Sequence, residues 1–421
     1  MDIKIEHHKE ILGNGVRLVL VPMKGSTSVG ISVLVGVGSR YENQENNGIS
    51  HFLEHLVYKG TKNFPTQVLI SERIEGVGGV LNGYTTSQVT NYWAKVTPQN
   101  FKESFEVLSD LVLHPLLRRN DVETERGVII EEIRMKDDNP MDEVMELSQK
   151  SLWGSHGLGL TVLGSEKTIG TLKPEVVERY HRRHYNSANL VVCVAGQFRA
   201  SEVTRSVKSK FKHLPKMVSP TLTPSAYHRG NIIVKDKKTA QAHLAFALPT
   251  FPFQSRERYI LEVISSILGG GMSSRLFLNV RDKGLAYAVH CFNEFYSDSG
   301  GFFTYAGVEK ERLPLAIKTI LSEFNKLAQV KASQSEIEKA REKIRGPFLF
   351  SLEDPIKVAE FFGYQEAAYN NIEAPQYYLD NLYQVQASDI TDLSRKIFSP
   401  GSLSFAAVSP FSQDKFVRLL A

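Results

Sequence analysis

Cysteine is scarce in this chain: Cys193 and Cys291 are the only two in 421 residues. Both sit in apolar, strand-like surroundings, which excludes a disulfide framework and reads as buried thiols in a reducing compartment. Long hydrophobic runs are missing as well. The stretches VRLVLV and NLVVCVAG have strand length and fall far short of the ~20 residues that cross a bilayer, so no membrane span is expected. The amino-terminal MDIKIEHHKEILGNG lacks the apolar core of a secretory signal, and the expected location is cytoplasmic. There is no large excess of one charge either, the net charge being +4. Fifty lysines and arginines face 46 acids, scattered and with no basic stripe interleaved with aromatics, so no nucleic-acid partner is expected.

What remains is a folded soluble chain, 42% hydrophobic and 23% charged, too long for one ordinary core. A long-period repeat accounts for the length. TERGVIIEEIRMKDDNP has a counterpart in KAREKIRGPFLFSLEDP at an offset of 215, and HYNSANLVVCVAG has one in IFSPGSLSFAAVSP at an offset of 213. Each pair joins a helix end or turn to the same kind of element, so one plan occurs twice. Between the copies lies HLPKMVSPTLTPSAYHRG, whose Pro215, Pro220 and Pro224 mark a linker. The expected domains are 1–218 and 229–421, joined by a linker at 219–228. NGVRLVLVP and SVGISVLVGVG read as paired strands, while TPQNFKESFEVLSDLVLHP and RLPLAIKTILSEFNKLAQV carry helical spacing. The fold class is α+β: two homologous α/β sandwich domains, each a mixed or antiparallel sheet with helices packed on one side.

The stretch GISHFLEHLVYKGT carries the chemistry. At about 100° per residue Ile49, Phe52, Leu53, Leu56 and Val57 fall on one side of a helix, and His51, Glu54, His55 and Tyr58 gather on the other. His51 and His55, one turn apart, converge on a point beyond the helix. A solvated polar face would look similar, and a catalytic zinc site needs a third protein ligand beside an open position. ETERGVIIEEIRM offers one. Glu125 and Glu132 fall on the side defined by Val128, Ile129, Ile133 and Met135, where a carboxylate must be paired or metal-bound. Pairing with arginines would satisfy them; so would Glu132 as a ligand with Glu125 supporting a histidine.

H-x-x-E-H inverts the commoner zinc-protease order. With HFLEHLVYKGT in the first half and Glu132 at 77 positions after His55, the chain resembles the pitrilysin and insulysin family, in the branch of mitochondrial-processing-peptidase-like proteins and their bacterial relatives. GGVLNGYTTSQVTNYWAKV, ERGVIIEEI, HYNSANLVVCVAG and SSRLFLNVRDKGLAYAV also resemble family segments in the expected order, so the resemblance covers nearly the whole chain. It implies one zinc ion per chain on His51, His55 and Glu132, with Glu54 as general base and Glu125 as supporting carboxylate. By the same resemblance LNGYTTSQVTNYWAKV is an edge strand that pairs with extended peptides, Asn82, Tyr84 and Thr85 being its substrate-facing candidates. Arg281 and Tyr287 match residues that reach substrate and steady the tetrahedral intermediate. Gln88 stands where many relatives carry glutamate.

The second half has no H-x-x-E-H, and Gly346 and Pro347 occupy the positions equivalent to Glu131 and Glu132; it is expected to be metal-free. LGGGMSSRLF would suit a phosphate, but no GKS or GKT follows it, so it reads as a structural loop. Larger relatives fuse four such domains into a closing chamber. Two here imply half of a clamshell and a homodimer. The expected activity is that of a zinc endopeptidase acting on peptides or unfolded segments, the alternative being a catalytically idle or partner-dependent subunit of the same family.

Overall fold

The computed structural model describes residues 3–218, 222–399 and 401–420; positions 219–221 of the expected linker lie outside them. Tertiary contacts divide the chain into two units. One comprises Met1–Ile133, Thr161–Thr223 and Leu349–Gln376, the other Arg134–Leu160, Pro224–Phe348 and Tyr377–Ala421. The change at Thr223 falls inside the expected linker. In addition, each unit takes one segment from the other half of the sequence.

The first unit is built on β1 (His8–Ile11), β2 (Arg17–Pro22), β3 (Val29–Val35), β4 (Val80–Thr85), β5 (Thr90–Val96) and β6 (Leu190–Gly196), in the order β1-β2-β6-β3-β5-β4. Only β2 and β6 run parallel. The second unit contains β7 (Ile232–Asp236), β8 (Ala242–Thr250), β9 (Ala286–Phe295), β10 (Gly300–Val308) and β11 (Ser404–Ser409), in the order β7-β11-β8-β10-β9. Here β7 and β11 are the parallel pair. Apart from the additional edge strand β1, the two sheets share a topology, in keeping with the repeat.

Two strand readings need correction. NGVRLVLVP and SVGISVLVGVG form β2 and β3, but β6 inserts between them. A strand buried on both faces is apolar throughout, and its composition does not say which apolar strand lies beside it. LNGYTTSQVTNYWAKV is a hairpin of two strands rather than one, closed by the Thr86 N–H to Val89 O bond at 2.8 Å.

The expected helices cover one face of each sheet, and an exchanged helix closes the other. Helix Pro355–Tyr369 belongs to the first unit, where Leu34 and Cys193 pack against Gly363. Helix Pro140–Trp153 belongs to the second, where Trp153 packs with Ala247 and Phe303 and Val144 with Ala245 and Val408. The two helices are 215 residues apart and start alike. Asn139 and Asp354 each cap the backbone N–H two residues on, at 3.1 and 3.0 Å, and Pro follows each cap. Cys193 and Cys291 are free and buried, and burial pushes both thiols up, Cys291 to about 12. Among the described residues no helix is long and apolar enough to cross a membrane.

Candidate metal centre

The histidine helix, Ile49–Val57, is anchored through its apolar side. Ile49, Phe52, Leu53, Leu56 and Val57 are buried in the core of the first unit. At roughly 1.5–3 kcal/mol each they contribute about 8–15 kcal/mol gross. That outweighs the cost of taking the opposite side out of water, and His51 and Glu54 end 7% and 8% exposed. A solvated polar face is excluded.

A buried anion starts this helix. Glu42 Oε2 accepts from the Gly48 N–H at 2.7 Å and the Asn47 amide at 2.9 Å, and Oε1 accepts from the Ser50 N–H at 2.8 Å. The carboxylate thereby satisfies amides that a first turn leaves open and places negative charge at the positive end of the helix dipole. Burial pushes its carboxyl up, and these hydrogen bonds pull it back. The Ser50 hydroxyl shares a 2.8 Å hydrogen bond with the Tyr180 hydroxyl. Ser50, the residue before His51, is thus held through both its backbone and its hydroxyl.

The glutamate helix, Arg119–Asp138, buries Val122, Glu125, Ile129 and Ile133. Val128 and Met135, assigned to that side from the sequence, are exposed. Glu132 Oε1 lies 3.8 Å from His51 Nε2, and Oε2 lies 3.6 Å from His55 Nε2. Those separations are too long for hydrogen bonds. They approach the roughly 3.4 Å between ligand atoms of a tetrahedral ion with bonds of about 2.1 Å. One donor atom from each of the three residues lies within 4.8 Å of the others. Two imidazoles and a carboxylate are a donor set that zinc accepts, so the residues fit the ion.

Supporting contacts orient the donors. His55 Nδ1 donates to Glu125 Oε2 at 3.2 Å, the tautomer that leaves the Nε2 lone pair directed at the donor cluster. Lys59 Nζ lies 2.6 Å from Glu125 Oε1. Burial pushes Glu125 up, but the bonds from His55 and Lys59 outweigh it and hold the carboxyl below its ordinary range. For His55, burial acts downward, while Glu125, Glu54 and Glu132 outweigh it and raise the imidazole. Burial pushes Glu54 up, partly offset by His55 and by the Thr85 hydroxyl, which donates to Glu54 Oε2 at 3.1 Å.

Thr85 therefore reaches the site, whereas alternation along β4 sends its even-numbered neighbours to the opposite face. Tyr84 lies near Glu360 and Tyr364 of the exchanged helix, and Asn82 is exposed on the same face. Gly83 faces Glu54 so closely that a Cβ there would lie 3.3 Å from Glu54 Oε1 and 2.7 Å from the Tyr58 hydroxyl. Gln88 is buried at the hairpin end. In the second unit Arg281 ends a short helical segment with its guanidinium over the Phe277 ring, and Tyr287 on edge strand β9 is 77% exposed. Glu42, Lys59 and Gly83 are the residues sequence reasoning missed. Glu42 lies six residues before the Gly48 cap, too far along the chain for a local capping signal to mark it.

Known proteins match this arrangement along the chain. Residues 18–166 match the family model described as Insulinase (Peptidase family M16), and residues 171–344 match the Peptidase M16 inactive domain. An uncharacterized zinc protease of Rickettsia felis is 34% identical over 390 residues, covering 92% of this chain and 94% of that one. The uncharacterized zinc protease YmxG of Bacillus subtilis is 33% identical over 398 residues, covering 94% and 97%. The crystal structure of a protease from Helicobacter pylori superimposes with a TM-score of 0.90 at 24% identity, over 97% of this chain and all of that one (100%). The chain belongs to peptidase family M16, the insulinase family.

Proposed function

We propose that the chain is a zinc-dependent endopeptidase that cleaves extended peptides and unfolded segments, with one zinc per chain held by His51, His55 and Glu132. The observation that carries this reading is the 3.6 and 3.8 Å spacing of two imidazole nitrogens around one carboxylate, with Glu54 buried beside it. Zinc held there would lower the pKa of a bound water towards about 7 and polarise the scissile carbonyl. Glu54 would take the proton of the attacking water and pass it to the leaving amine. Glu125 and Lys59 keep His55 in the ligating tautomer.

The edge position of β4 supports a peptide adding itself as a further strand, a mode in which main-chain bonds give affinity with little demand on sequence. Asn82, Tyr84 and Thr85 are the side chains nearest such a strand by sequence, and Thr85 also holds Glu54. Arg281 and Tyr287, exposed on the second unit, are assigned to steadying the tetrahedral intermediate. Two copies would supply two such sets, and the proposed assembly is a homodimer; a light-scattering monomer that cleaves at full rate would overturn it. The free, buried thiols support a cytosolic setting.

Bound zinc and hydrolysis of a quenched fluorogenic peptide, measured side by side for the wild type and Glu54→Gln, test the reading. Zinc in both is expected, with the variant slower by roughly 10²–10⁴-fold. Zinc in both with no hydrolysis in the wild type would instead assign a subunit idle without a partner, and an active Glu54→Gln would remove Glu54 from its role.

A further inference from the structure

The glycine-rich stretch LGGGMSSRLF lacks a following GKS or GKT, but the fold of the second unit brings two lysines to it. Helix Glu257–Gly269 runs into the loop, and helix Gln334–Ser351 passes beside it. Lys339 and Lys343, four residues apart on that second helix, share a face. The Lys343 ammonium lies directly over Gly271, where a Cβ would coincide with it and where φ is +151°. Together with Ser266, Ser273 and Ser274 these residues line a cleft of about 60 Å³. That is room for roughly four waters, or one tetrahedral oxyanion.

The polar accounting of this cleft does not close within the protein. Ser274 is 6% exposed, lines the cleft, and its hydroxyl has no hydrogen-bond partner. A buried hydroxyl left so costs free energy unless something else supplies a bond. Lys339 and Lys343 are exposed at the mouth of the cleft, and no carboxylate pairs with either among the described residues. The acid in the lining, Glu336, is already engaged: Arg275 donates to it twice, at 2.7 and 3.2 Å, and the Ser333 N–H once, at 2.9 Å. Two unpaired ammonium groups, a serine hydroxyl in want of a partner and a glycine that clears space are the parts of an anion site.

We propose that this cleft binds a phosphate-class oxyanion, either free phosphate or the phosphoryl group of a larger molecule, at a site sharing no residue with the metal centre. Lys339 and Lys343 supply the charge, Ser274 donates its hydroxyl, and Gly271 keeps the Lys343 ammonium over the loop.

The test is calorimetric titration of inorganic phosphate into the full, metal-loaded chain at fixed ionic strength, with ATP and phosphoserine in parallel. One saturable site per chain is expected, weakened roughly tenfold or more by Lys339→Met or Lys343→Met and abolished in the double variant. Ser274→Ala should weaken it several-fold. Unchanged melting temperatures of the two lysine variants without phosphate would show that the fold is intact. Tighter binding of ATP or phosphoserine than of phosphate would assign the phosphoryl group of a larger molecule; equal or weaker binding would assign free phosphate. No saturable phosphate binding overturns the proposal. So does binding that survives in the double lysine variant, because the anion would then sit elsewhere, the metal centre included.

Discussion

Replacing Glu42 by alanine should loosen the histidine helix at its first turn and weaken zinc binding without touching a ligand. The carboxylate accepts two backbone N–H bonds at 2.7 and 2.8 Å and one side-chain bond at 2.9 Å. Hydrogen bonds to a charged group contribute about 1.5–3 kcal/mol each, so the two backbone bonds are worth about 3–6 kcal/mol gross. For the charge itself burial outweighs these bonds, and the carboxyl is pushed up; the loss comes instead from the two buried backbone donors left unpaired, about 2–6 kcal/mol together. Glu42→Gln keeps one acceptor oxygen but presents an amide NH₂ to the other donors, and about half that loss is expected. The chain holds two tryptophans, Trp93 in β5 of the first unit and Trp153 in the second. In a Trp153→Phe background, urea unfolding followed by fluorescence therefore reports on the unit that contains Glu42. Competition with a chromophoric chelator should show zinc affinity down roughly 10–100-fold, the usual effect of losing an outer-shell partner. An unfolding free energy within about 0.5 kcal/mol of the parent, a shift too small to separate from an ordinary surface change, together with unchanged zinc affinity would refute the reasoning.

Gly83→Ala places a methyl 3.3 Å from Glu54 Oε1 and 2.7 Å from the Tyr58 hydroxyl. Peptide hydrolysis should fall at least roughly tenfold through displacement of the proposed base while the zinc content stays at the wild-type level; loss of zinc instead would mean that the proposed ligands had moved. Stability should fall with acid through His181 and His184, both on helix Pro174–His184 and both pushed by burial from an ordinary 6.5 to about 4. The folded chain holds these protons more weakly than the unfolded one. Their contribution is therefore fully present above about pH 6.5 and lost as pH falls through 6.5 towards 4. Between pH 7 and 5 each accounts for about 2 kcal/mol. Urea midpoints across that range, compared with a His181→Gln/His184→Gln double variant, check this; a wild-type profile no steeper than the variant's would contradict it.

The grouping of His51, His55 and Glu132 was legible because helical spacing is a local property of the backbone. His51, Glu54 and His55 lie within five residues, so their convergence follows from 100° per residue before any packing is known. The same rule put Glu125 and Glu132 on one side of their helix, although it also put Val128 and Met135 there, which the structure exposes. A wheel gives the direction of a side chain but not where its neighbour ends. The repeat was equally plain, since the 215-residue offset links Pro140 with Pro355 and both begin helices of the same kind.

Other features depend on pairings between distant residues, which the order of residues does not state. Nothing in SVGISVLV says that β6, more than 150 residues on, lies beside it, or that Pro355–Tyr369 closes its second face. Residues buried on both faces look alike whichever partner buries them. The opposite directions of Thr85 and Tyr84 could be read only once β4 had a known face. Glu42 and Lys59 became parts of the site through contacts made across turns, and the lysines of the glycine-rich loop arrive from roughly 70 residues away. By itself the sequence determined which side chains can bind a metal and how they point along their own helices, because 3.6-residue periodicity is intrinsic to the chain. Tertiary structure alone decided which faces are buried together and which charges lose their water, because burial is shared among all the segments that pack.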